Sequence, residues 1–582
     1  MRLISKTPLL AVALGVCLSS ACWGGNAKLS PDLQGANLPA TLDVIIQYKQ
    51  TPTSEDDQNV VNQGGKVKSK FHYVKGGAYH VPSGALVDLA NDSNVAYISP
   101  DRTVNGLLDQ ADVTVGQNLA ASYNVNGAGI GVAVIDSGIA NVPDLQGRVV
   151  YSQLFNTNTT LGDAYGHGTH VSGIIAGSGE KSTGTLFFRT FHGVAEGVSL
   201  INLQVLDQNG AGTDSFTIAA IEQAIALKAT YNIRVINLSL GRPVYESYTA
   251  DPLCQAVEQA WKAGITVVVA AGNYGRANPT TTFGYGTITA PGNDPYVITV
   301  GAMNDMGTPV ITDDVITSYS SKGPTLFDMV AKPDIVAPGN LIDSLEAPGS
   351  TLFTAYPQVD IALDLYENVP SVSALASTAS SSVSPYYIQL SGTSMATPFV
   401  SGTVALMLQQ HPTLTPDQVK ARLMLTADKT TFPVTSSYTD PTTGITYNER
   451  YDIFTIGAGY LNVGNALYST QLAPAGLSAL SPALVFNTNA TLTFENATNV
   501  VWGANSNWAS NVVWGANVVW GANVVWGAGV IPAASDLFLQ ANNVVWGANV
   551  VWGANVVWGA NVVWGANTTA DAATVATTSD QR

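Results

Sequence analysis

The chain has 582 residues, of which 46% are hydrophobic and only 11% are charged, and its net charge is -17. This length predicts several domains, and the hydrophobic fraction is enough for a large buried core. The negative charge argues against nucleic acid and anionic membrane surfaces as partners, because both would repel it.

The N-terminus has the pattern of an export signal, which we assign to residues 1–27. Arg2 and Lys6 precede an apolar run over residues 9–18, and small residues then offer cleavage positions. The run is too short to span a bilayer. We therefore predict a secreted protein with no membrane span. Cys22 leaves lipid anchoring as a less favoured alternative, and a buried N-terminal helix is another.

Residues 28–105 have the pattern of a small α+β domain. Residues 41–48 alternate as a strand does, residues 83–89 favour a short helix, and residues 95–98 predict a returning strand. We expect this unit to fold ahead of a larger domain.

Residues 106–470 alternate apolar strands with helices. The segments that carry this pattern are 131–135, 216–228, 234–240, 255–262 and 265–270. Strands so uniformly apolar are covered on both faces, which predicts an α/β fold with a mainly parallel sheet between two helix layers. Active sites in such folds lie beyond the carboxyl ends of the strands. Residues 345–390 interrupt the pattern and are interpreted as a surface loop insertion.

After a predicted linker at residues 471–499, the unit Asn-Val-Val-Trp-Gly-Ala repeats through residues 500–567, and a polar tail covers residues 568–582. Six residues turn an α-helix by about 600°, which would scatter the tryptophans. In an extended chain an even period places them on one face. The repeat therefore favours β-structure, as hairpins or a short solenoid, or else a disordered tail that orders against a partner. Its aromatic face suits binding to a surface or polymer.

Three far-separated residues each stand where a catalytic group is expected. Asp136 closes an apolar strand, and His167 lies between glycines ahead of an apolar helix. Ser394 lies where an irregular segment turns into another apolar helix, and a helix start favours negative charge developing beside it. Taken singly, Asp136 is more simply a cap. His167 and His170 have the spacing of metal ligands, but no third ligand accompanies them.

Once the signal is removed, Cys254 is the single cysteine, so an intrachain disulfide is excluded. A thiol nucleophile, and hence a cysteine peptidase, is one alternative. A buried structural thiol in a helix is the simpler interpretation.

The order Asp, His, Ser along the chain is that of the subtilisin type, and it differs from the orders of the chymotrypsin and G-x-S-x-G types. The motifs Val-Ile-Asp-Ser-Gly, His-Gly-Thr-His-Val-Ser-Gly and Gly-Thr-Ser-Met-Ala-Thr-Pro resemble those of the subtilisin-like serine peptidases. The resemblance implies a three-layer α/β fold and a secreted serine endopeptidase that acts on proteins or peptides. Asp136 would orient His167, and His167 would take the proton of Ser394.

The same resemblance extends to the surroundings of the triad. The segment Val-Val-Val-Ala-Ala-Gly-Asn, which ends at Asn273, is similar to the family's oxyanion-binding segment, although an asparagine after glycine also fits a plain turn. The peptide bond between Ala290 and Pro291 falls where the family often has a cis bond. Substrate would pair as an added strand with two segments. The residues implied for this role are Ser239, Leu240, Gly241, Gly210 and Gly212.

Residues 28–105 resemble the inhibitory propeptide of these enzymes, which would make the propeptide a partner of its own peptidase domain. Processing is then expected near residues 105–112; a small accessory domain is the alternative. The family often binds calcium through the loop after the histidine helix, but residues 178–191 lack a clear set of oxygen ligands. We assign no cofactor, and calcium is implied by resemblance alone. A catalytically inactive scaffold that binds surfaces through the tryptophan repeat is the rival function.

Overall fold

The structure is a computed structural model that describes most of residues 26–494. The described ranges are 26–30, 33–34, 38–71, 74–101, 103–106, 123–156, 160–280, 282–308, 311–367, 383–429, 432–440, 443–473, 476, 478–486 and 492–494. The tryptophan repeat, the polar tail and nearly all of the predicted signal lie outside these ranges.

The first unit is a four-stranded antiparallel sheet with two helices. Its elements are β1 (Thr41–Tyr48), α1 (Ser54–Asn62), β2 (Lys66–Lys70), β3 (Gly76–Pro82), α2 (Leu86–Asn91) and β4 (Val95–Pro100). The strand order is β2-β3-β1-β4. One face of β1 supplies Val44 and Ile46 to a core that also contains Val60 and Leu89. This α+β unit agrees with the alternating pattern in the sequence.

The remaining elements follow in chain order. The strands are β5 (Thr103–Gly106), β6 (Gly131–Asp136), β7 (Val149–Leu154), β8 (Ser199–Gln204), β9 (Ala211–Thr213), β10 (Ile233–Leu238), β11 (Leu240–Gly241), β12 (Thr266–Ala270), β13 (Ile298–Asn304), β14 (Val315–Ile316), β15 (Ile335–Pro338), β16 (Ile342–Leu345), β17 (Asp360–Ala362), β18 (Val383–Leu390), β19 (Thr435–Thr439), β20 (Thr446–Arg450), β21 (Leu484–Phe486) and β22 (Leu492–Phe494). The helices are α3 (His167–Ala176), α4 (Asp214–Tyr231), α5 (Pro252–Lys262), α6 (Thr351–Ala355), α7 (Thr393–Gln410), α8 (Pro416–Thr426) and α9 (Val463–Tyr468).

The large sheet has the order β14-β13-β12-β10-β6-β8-β7, and β15 also pairs with β13. Its pairs are parallel except for the antiparallel pair of β13 and β14. Helix α4 packs on α5, α3 packs on α7, and both helix pairs contact the sheet. Strands β6 and β12 are buried along their whole length, and β10 is buried at every position except Arg234, because helices cover both faces of the sheet. This three-layer arrangement confirms the predicted fold class.

Two stretches differ from the sequence interpretation. The described ends of the predicted loop insertion hold α6, β17 and β18, and β18 pairs with both β16 and β17, so the interpretation as a plain loop is wrong there. The predicted linker also contacts the larger α/β domain: Ser481 N–H donates to the Pro295 carbonyl at 2.9 Å, and Leu484 N–H donates to the Met329 carbonyl at 3.0 Å. We therefore propose that the domain extends past the predicted boundary at residue 470.

Candidate active site

Asp136 and His167 are joined by a buried hydrogen bond at the carboxyl end of the sheet. Asp136 is the last residue of β6, and His167 is the first residue of α3. His167 Nδ1 lies 2.7 Å from Asp136 Oδ1, and both side chains are buried. A carboxylate only accepts, so Nδ1 carries the proton and Nε2 is left as the basic nitrogen.

A second buried carboxylate, Asp163, fixes the start of the histidine helix. It accepts backbone hydrogen bonds from Gly166 at 2.7 Å and Thr169 at 2.8 Å, and hydroxyl bonds from Ser137 at 2.8 Å and Thr169 at 2.6 Å. Burial raises the pKa of Asp163, and these four donors oppose that shift. Asp163 therefore holds His167 in place, a role that the sequence interpretation missed although the residue precedes the helix by one turn.

Two glycines allow the backbone to pass closely around His167. Gly166 has a φ of 106°, which an L side chain rarely adopts. At Gly168, a Cβ would come within 2.1 Å of the Gly138 carbonyl oxygen. The glycines beside the histidine thus serve close packing of α3 on the turn after β6.

Ser394 is the second residue of α7, in its first turn. Pro398, inside the same helix, has no N–H to donate to the Ser394 carbonyl four residues earlier. The Ser239 hydroxyl takes that place and donates to the Ser394 carbonyl at 2.8 Å, while Ser394 Oγ donates to the Ser239 carbonyl at 3.1 Å. Helix α7 is therefore tied to the segment that leads into β11.

Helices α3 and α7 pack together and bring His167 and Ser394 to one end of the sheet. Among the described residues His167 Nε2 has no hydrogen-bond partner, so the serine–histidine hydrogen bond is not formed here. Catalytic contacts of this kind often close only when substrate is bound. The structure thus joins Asp136 to His167 and places Ser394 on the neighbouring helix.

Asn273 follows the end of β12 and faces the start of α7. Its Oδ1 accepts from Thr393 N–H at 3.0 Å and from the Thr393 hydroxyl at 3.1 Å. A backbone N–H only donates, which fixes the amide with Oδ1 towards Thr393. Asn273 Nδ2 is buried with no hydrogen-bond partner among the described residues. The amide is therefore held ready to donate to an incoming oxygen. The sequence motif contained Thr393, but its role was not foreseen.

Strand β5 lies between β9 and β11 and is antiparallel to both. Its Gly106 pairs with Leu240, and its Val104 pairs with Gly212. A segment of the chain itself thus occupies the position in which an extended peptide would add as a strand.

The residues implied for substrate binding lie around this ladder. Leu240 and Gly241 form β11, Gly212 lies in β9, and Ser239 immediately precedes β11. Gly210 lies in the turn before β9, outside the ladder, and a Cβ there would come within 2.5 Å of the neighbouring Tyr165 ring.

Cys254 and His170, the alternative site residues considered from the sequence, are both buried in the fold. Cys254 is buried in α5, its Sγ lies 3.3 Å from Asn293 Oδ1, and burial raises the pKa of its thiol well above the usual value, which keeps it protonated. His170 is buried with Nε2 3.0 Å from the Ile342 carbonyl, and burial lowers its pKa to about 3. The described residues include no group of three or more His, Cys, Asp or Glu side chains arranged to hold a metal ion.

The loop after the histidine helix contacts a buried carboxylate, Asp144, which lies before β7 in the chain. Asp144 accepts from the Tyr387 hydroxyl at 2.7 Å and from Lys181 N–H at 3.0 Å. Burial raises the pKa of Asp144, so the carboxylate depends on these donors when ionised. This pairing does not match the several free oxygen ligands that calcium needs.

No helix within the described ranges is both long enough and apolar enough to cross a membrane.

Comparisons with known proteins agree with this fold. Residues 127–450 match the family model described as subtilase family. The serine protease AprX of Bacillus subtilis (strain 168) is 37% identical over 377 residues, covering 62% of this chain and 76% of that protein. Subtilisin E of the same organism is 34% identical over 391 residues, covering 66% and 84%. An extracellular serine proteinase of Thermus sp. (strain Rt41A) is 30% identical over 414 residues, covering 69% and 82%.

Among solved structures, fervidolysin from Fervidobacterium pennivorans, described as a keratinolytic enzyme related to subtilisin, has a similar fold with a TM-score of 0.53. The match is 21% identical and covers 76% of this chain and 62% of that one. Together, the fold and the family match define a serine endopeptidase, as the motifs implied. The chain belongs to the subtilase family.

Proposed function

We propose that this chain is a secreted, self-processing serine endopeptidase in which Asp136, His167 and Ser394 form the catalytic triad and Asn273 binds the oxyanion. The observation that carries the proposal is the buried 2.7 Å bond between Asp136 and His167 at the carboxyl end of the sheet. Two further features support it: the first-turn position of Ser394 on the neighbouring helix, and the Asn273 Nδ2 atom, which has no hydrogen-bond partner among the described residues.

In the proposed reaction, His167 Nε2 takes the hydroxyl proton as Ser394 Oγ bonds to the carbon of the substrate carbonyl. The negative oxygen receives hydrogen bonds from Asn273 Nδ2 and from Ser394 N–H. His167 then gives its proton to the leaving amine, the C–N bond breaks and an acyl-enzyme remains. His167 then takes a proton from water as the water oxygen bonds to the acyl carbon, and it returns that proton to Ser394 Oγ as the ester C–O bond breaks and the acid leaves. Asp136 holds the imidazole and stabilises its charged form throughout.

Residues 28–105 are proposed to act as an inhibitory propeptide. Contacts between the first unit and the peptidase domain support this role. The Ser30 hydroxyl donates to Glu246 at 2.7 Å, and the Gln47 amide donates to the Ala250 carbonyl at 2.7 Å. The Asp101 carboxylate accepts from Ser215 N–H at 2.8 Å, in the first turn of α4, where a negative charge is favourable.

The register of β5 supports a specific maturation site. Gly106 lies opposite Leu240, and the preceding residue of that segment, Ser239, accepts the hydrogen bond of Ser394 Oγ. Ser239 lies one residue beyond the last described pair of this ladder, on the β11 side. We therefore propose cleavage between Leu107 and Leu108, within the predicted range near 105–112, of which residues 107–112 lie outside the described part of the chain.

Secretion and a role for the tryptophan repeat are proposed from the sequence patterns of residues 1–27 and 500–567. The expected signal and the repeat both lie outside the described residues. The extracellular naming of one relative supports secretion. The repeat is proposed to attach the enzyme to a surface or polymer through its aromatic face.

Expression of wild type and Ser394→Ala tests the self-processing enzyme. Wild type should yield a mature form whose N-terminus is Leu108, whereas Ser394→Ala should retain the full precursor. Purified Ser394→Ala that still matures without an added protease would refute the proposal. An inactive scaffold predicts that both proteins stay unprocessed.

A further inference from the structure

The backbone on both sides of Asn273 is held by one buried residue, Ser321. Ser321 N–H donates to the Gly272 carbonyl at 2.9 Å, and Ser321 Oγ accepts from Tyr274 N–H at 3.0 Å. These two bonds involve the peptide group before Asn273 and the peptide group after it. The position of Asn273 therefore depends on the segment that contains Ser321, residues 318–321.

Arg276 contacts the same segment. Its Nε donates to the Ser318 hydroxyl oxygen at 2.9 Å, and its guanidinium carbon lies 6.0 Å from the centre of the Tyr319 ring. Tyr319 is buried, and its hydroxyl donates to the Gly339 carbonyl at 2.8 Å, so the ring is fixed. A guanidinium is attracted to an aromatic face at this distance. Arg276 therefore ties the chain that follows Asn273 to this segment.

The hairpin of β19 and β20 supplies the other contacts of Arg276. Tyr438 of β19 lies opposite Tyr447 of β20, so the two rings are on the same face of the hairpin. The guanidinium carbon is 5.2 Å from the centre of the first ring and 5.3 Å from the centre of the second. Arg276 Nη1 also lies 3.6 Å from Asp440 Oδ2. Three tyrosine rings and one carboxylate thus surround the planar guanidinium, a setting that lysine would fill less well.

The hairpin is itself attached to the α/β domain. The Tyr451 hydroxyl, directly after β20, accepts from Ile316 N–H in β14 at 2.9 Å. Glu449 of β20 forms a buried ion pair with Lys322, the residue after Ser321. The hairpin is therefore a fixed support for the rings that it contributes.

We propose that Arg276 is a positioning residue for the reaction: its contacts with the hairpin and with residues 318–321 fix the backbone that carries Asn273. This role rests on the proposed function of Asn273. Thr393 orients the Asn273 side-chain amide, whereas Arg276 acts on the main chain. An oxyanion donor stabilises the transition state only while it stays in place, so a displaced backbone should slow the chemical step and change substrate binding little.

The test is Arg276→Met, which keeps a long apolar side chain and loses the charge and the Nε donor. On a peptide anilide, the purified, processed variant should have a kcat about five- to tenfold below that of wild type, with KM changed less than about twofold. Arg276→Lys keeps a cation beside the rings and should recover part of the rate.

Lys262→Met is the matched control. Lys262 Nζ also lies over a tyrosine ring, 5.0 Å from the centre of Tyr296, but it is the last residue of α5 and precedes the amino end of β12, at the edge of the sheet away from the site. This variant should keep the wild-type kcat and KM.

Dependence on Asn273 separates positioning from general stabilisation. In an Asn273→Ala background, Arg276→Met should have no further effect on kcat, because the amide that Arg276 positions is absent. An equal loss of kcat with and without that amide would overturn the inference. So would a merely structural effect, in which Arg276→Met lowers the unfolding temperature in the Ser394→Ala background and leaves kcat at 25 °C unchanged.

If Arg276→Met does not fold, Tyr438→Leu decides, because its ring is 44% exposed and its removal leaves the core intact. Tyr438→Leu should lower kcat by about two- to fivefold, and only when Asn273 is present; a wild-type kcat would overturn the inference and leave the proposed function intact. If Asn273→Ala kept the full kcat, or purified, processed wild type cleaved no peptide, the proposed function would fail and the inference with it.

Discussion

The Asn273 side-chain oxygen accepts two hydrogen bonds from Thr393, one from the backbone at 3.0 Å and one from the hydroxyl at 3.1 Å. The same hydroxyl accepts from Gly272 N–H at 3.1 Å. Thr393 therefore connects the segment after β12 to the start of α7, where it precedes Ser394, and its two hydrogen bonds fix the orientation of the Asn273 amide. In its proposed role as oxyanion donor, an amide held in this way would not have to reorganise during the reaction.

Removal of the Asn273 amide should raise the activation barrier. We expect Asn273→Ala to lose about 10²–10³-fold in kcat, or roughly 3–4 kcal/mol, with little change in KM. Steady-state kinetics on a peptide anilide measures this. A loss confined to KM would show that Asn273 binds substrate and not the oxyanion.

Thr393 should act through Asn273. Thr393→Val keeps the backbone donor and loses the hydroxyl. We therefore expect the activation free energy to rise, and kcat to fall accordingly, by roughly 1 kcal/mol in the barrier, the usual contribution of one hydrogen bond. Thr393→Ser restores the hydroxyl and should recover most of the rate. In an Asn273→Ala background, Thr393→Val should have little further effect on kcat, and additive losses would contradict the coupling.

Asp163 should support both stability and catalysis. Asp163→Ala leaves four buried donors without their acceptor, so we expect a loss of stability of roughly 2–4 kcal/mol and a lower kcat from a misplaced His167. Thermal unfolding in the Ser394→Ala background measures the first effect without self-digestion. A matched control is Asp88→Ala, at an exposed position of α2. Equal unfolding temperatures for the Asp163→Ala and control variants would rule out the anchoring role.

Asp101 should strengthen inhibition by the propeptide. Its carboxylate accepts from Ser215 N–H in the first turn of α4, and hydrogen bonds to charged groups contribute about 1.5–3 kcal/mol. Asp101→Asn should therefore weaken binding of the cleaved propeptide by about tenfold or more. The lag before activity appears in purified precursor should shorten. Asp88→Asn, on α2, is the control and should keep the wild-type lag; a lag of wild-type length in Asp101→Asn would count against the capping contact.

Glu346 should make stability depend on pH. Burial, with the nearby Asp360 carboxylate, raises the pKa of Glu346 from 4.5 to about 7, and its Oε2 has no hydrogen-bond partner among the described residues. Between these values the folded chain keeps a proton that the unfolded chain releases. Stability should therefore fall as pH rises from about 4.5 to about 7 and should change no further through this group above that.

Glu346→Gln removes the titrating group and keeps its shape. In the Ser394→Ala background, the variant should match its parent near pH 4.5 and exceed it in unfolding temperature at pH 8. Parallel curves for the two proteins across this window would show that Glu346 does not carry the dependence.

The sequence predicted the fold class and the candidate site because both depend on local patterns. Apolar strands such as 131–135 define the buried parallel sheet, and Asp136, His167 and Ser394 each lie in a short, distinctive motif. The structure joins the first two directly. The order of the three residues along the chain was enough to indicate the family.

Local sequence patterns could not predict contacts between segments that are distant in the chain. Thr393 meets Asn273 across 120 positions, and nothing around Thr289 in sequence indicates that it lies between Gly241 and Gly272. The insertion was likewise predicted to be a loop, because β18 is a strand only through its pairing with β16 and β17. Both strands are distant from β18 in the sequence, so the local pattern of residues does not indicate the pairing.

The most direct measurement of the central claim is active-site labelling of the purified protein with a fluorophosphonate, followed by peptide mass spectrometry. Wild type should carry one adduct, on Ser394, and its activity should be lost in proportion to labelling. His167→Ala should label far more slowly, and a thiol alkylator should leave activity unchanged because Cys254 is buried. Full activity after complete labelling, or an adduct on another residue, would contradict the assignment of Ser394 as the nucleophile.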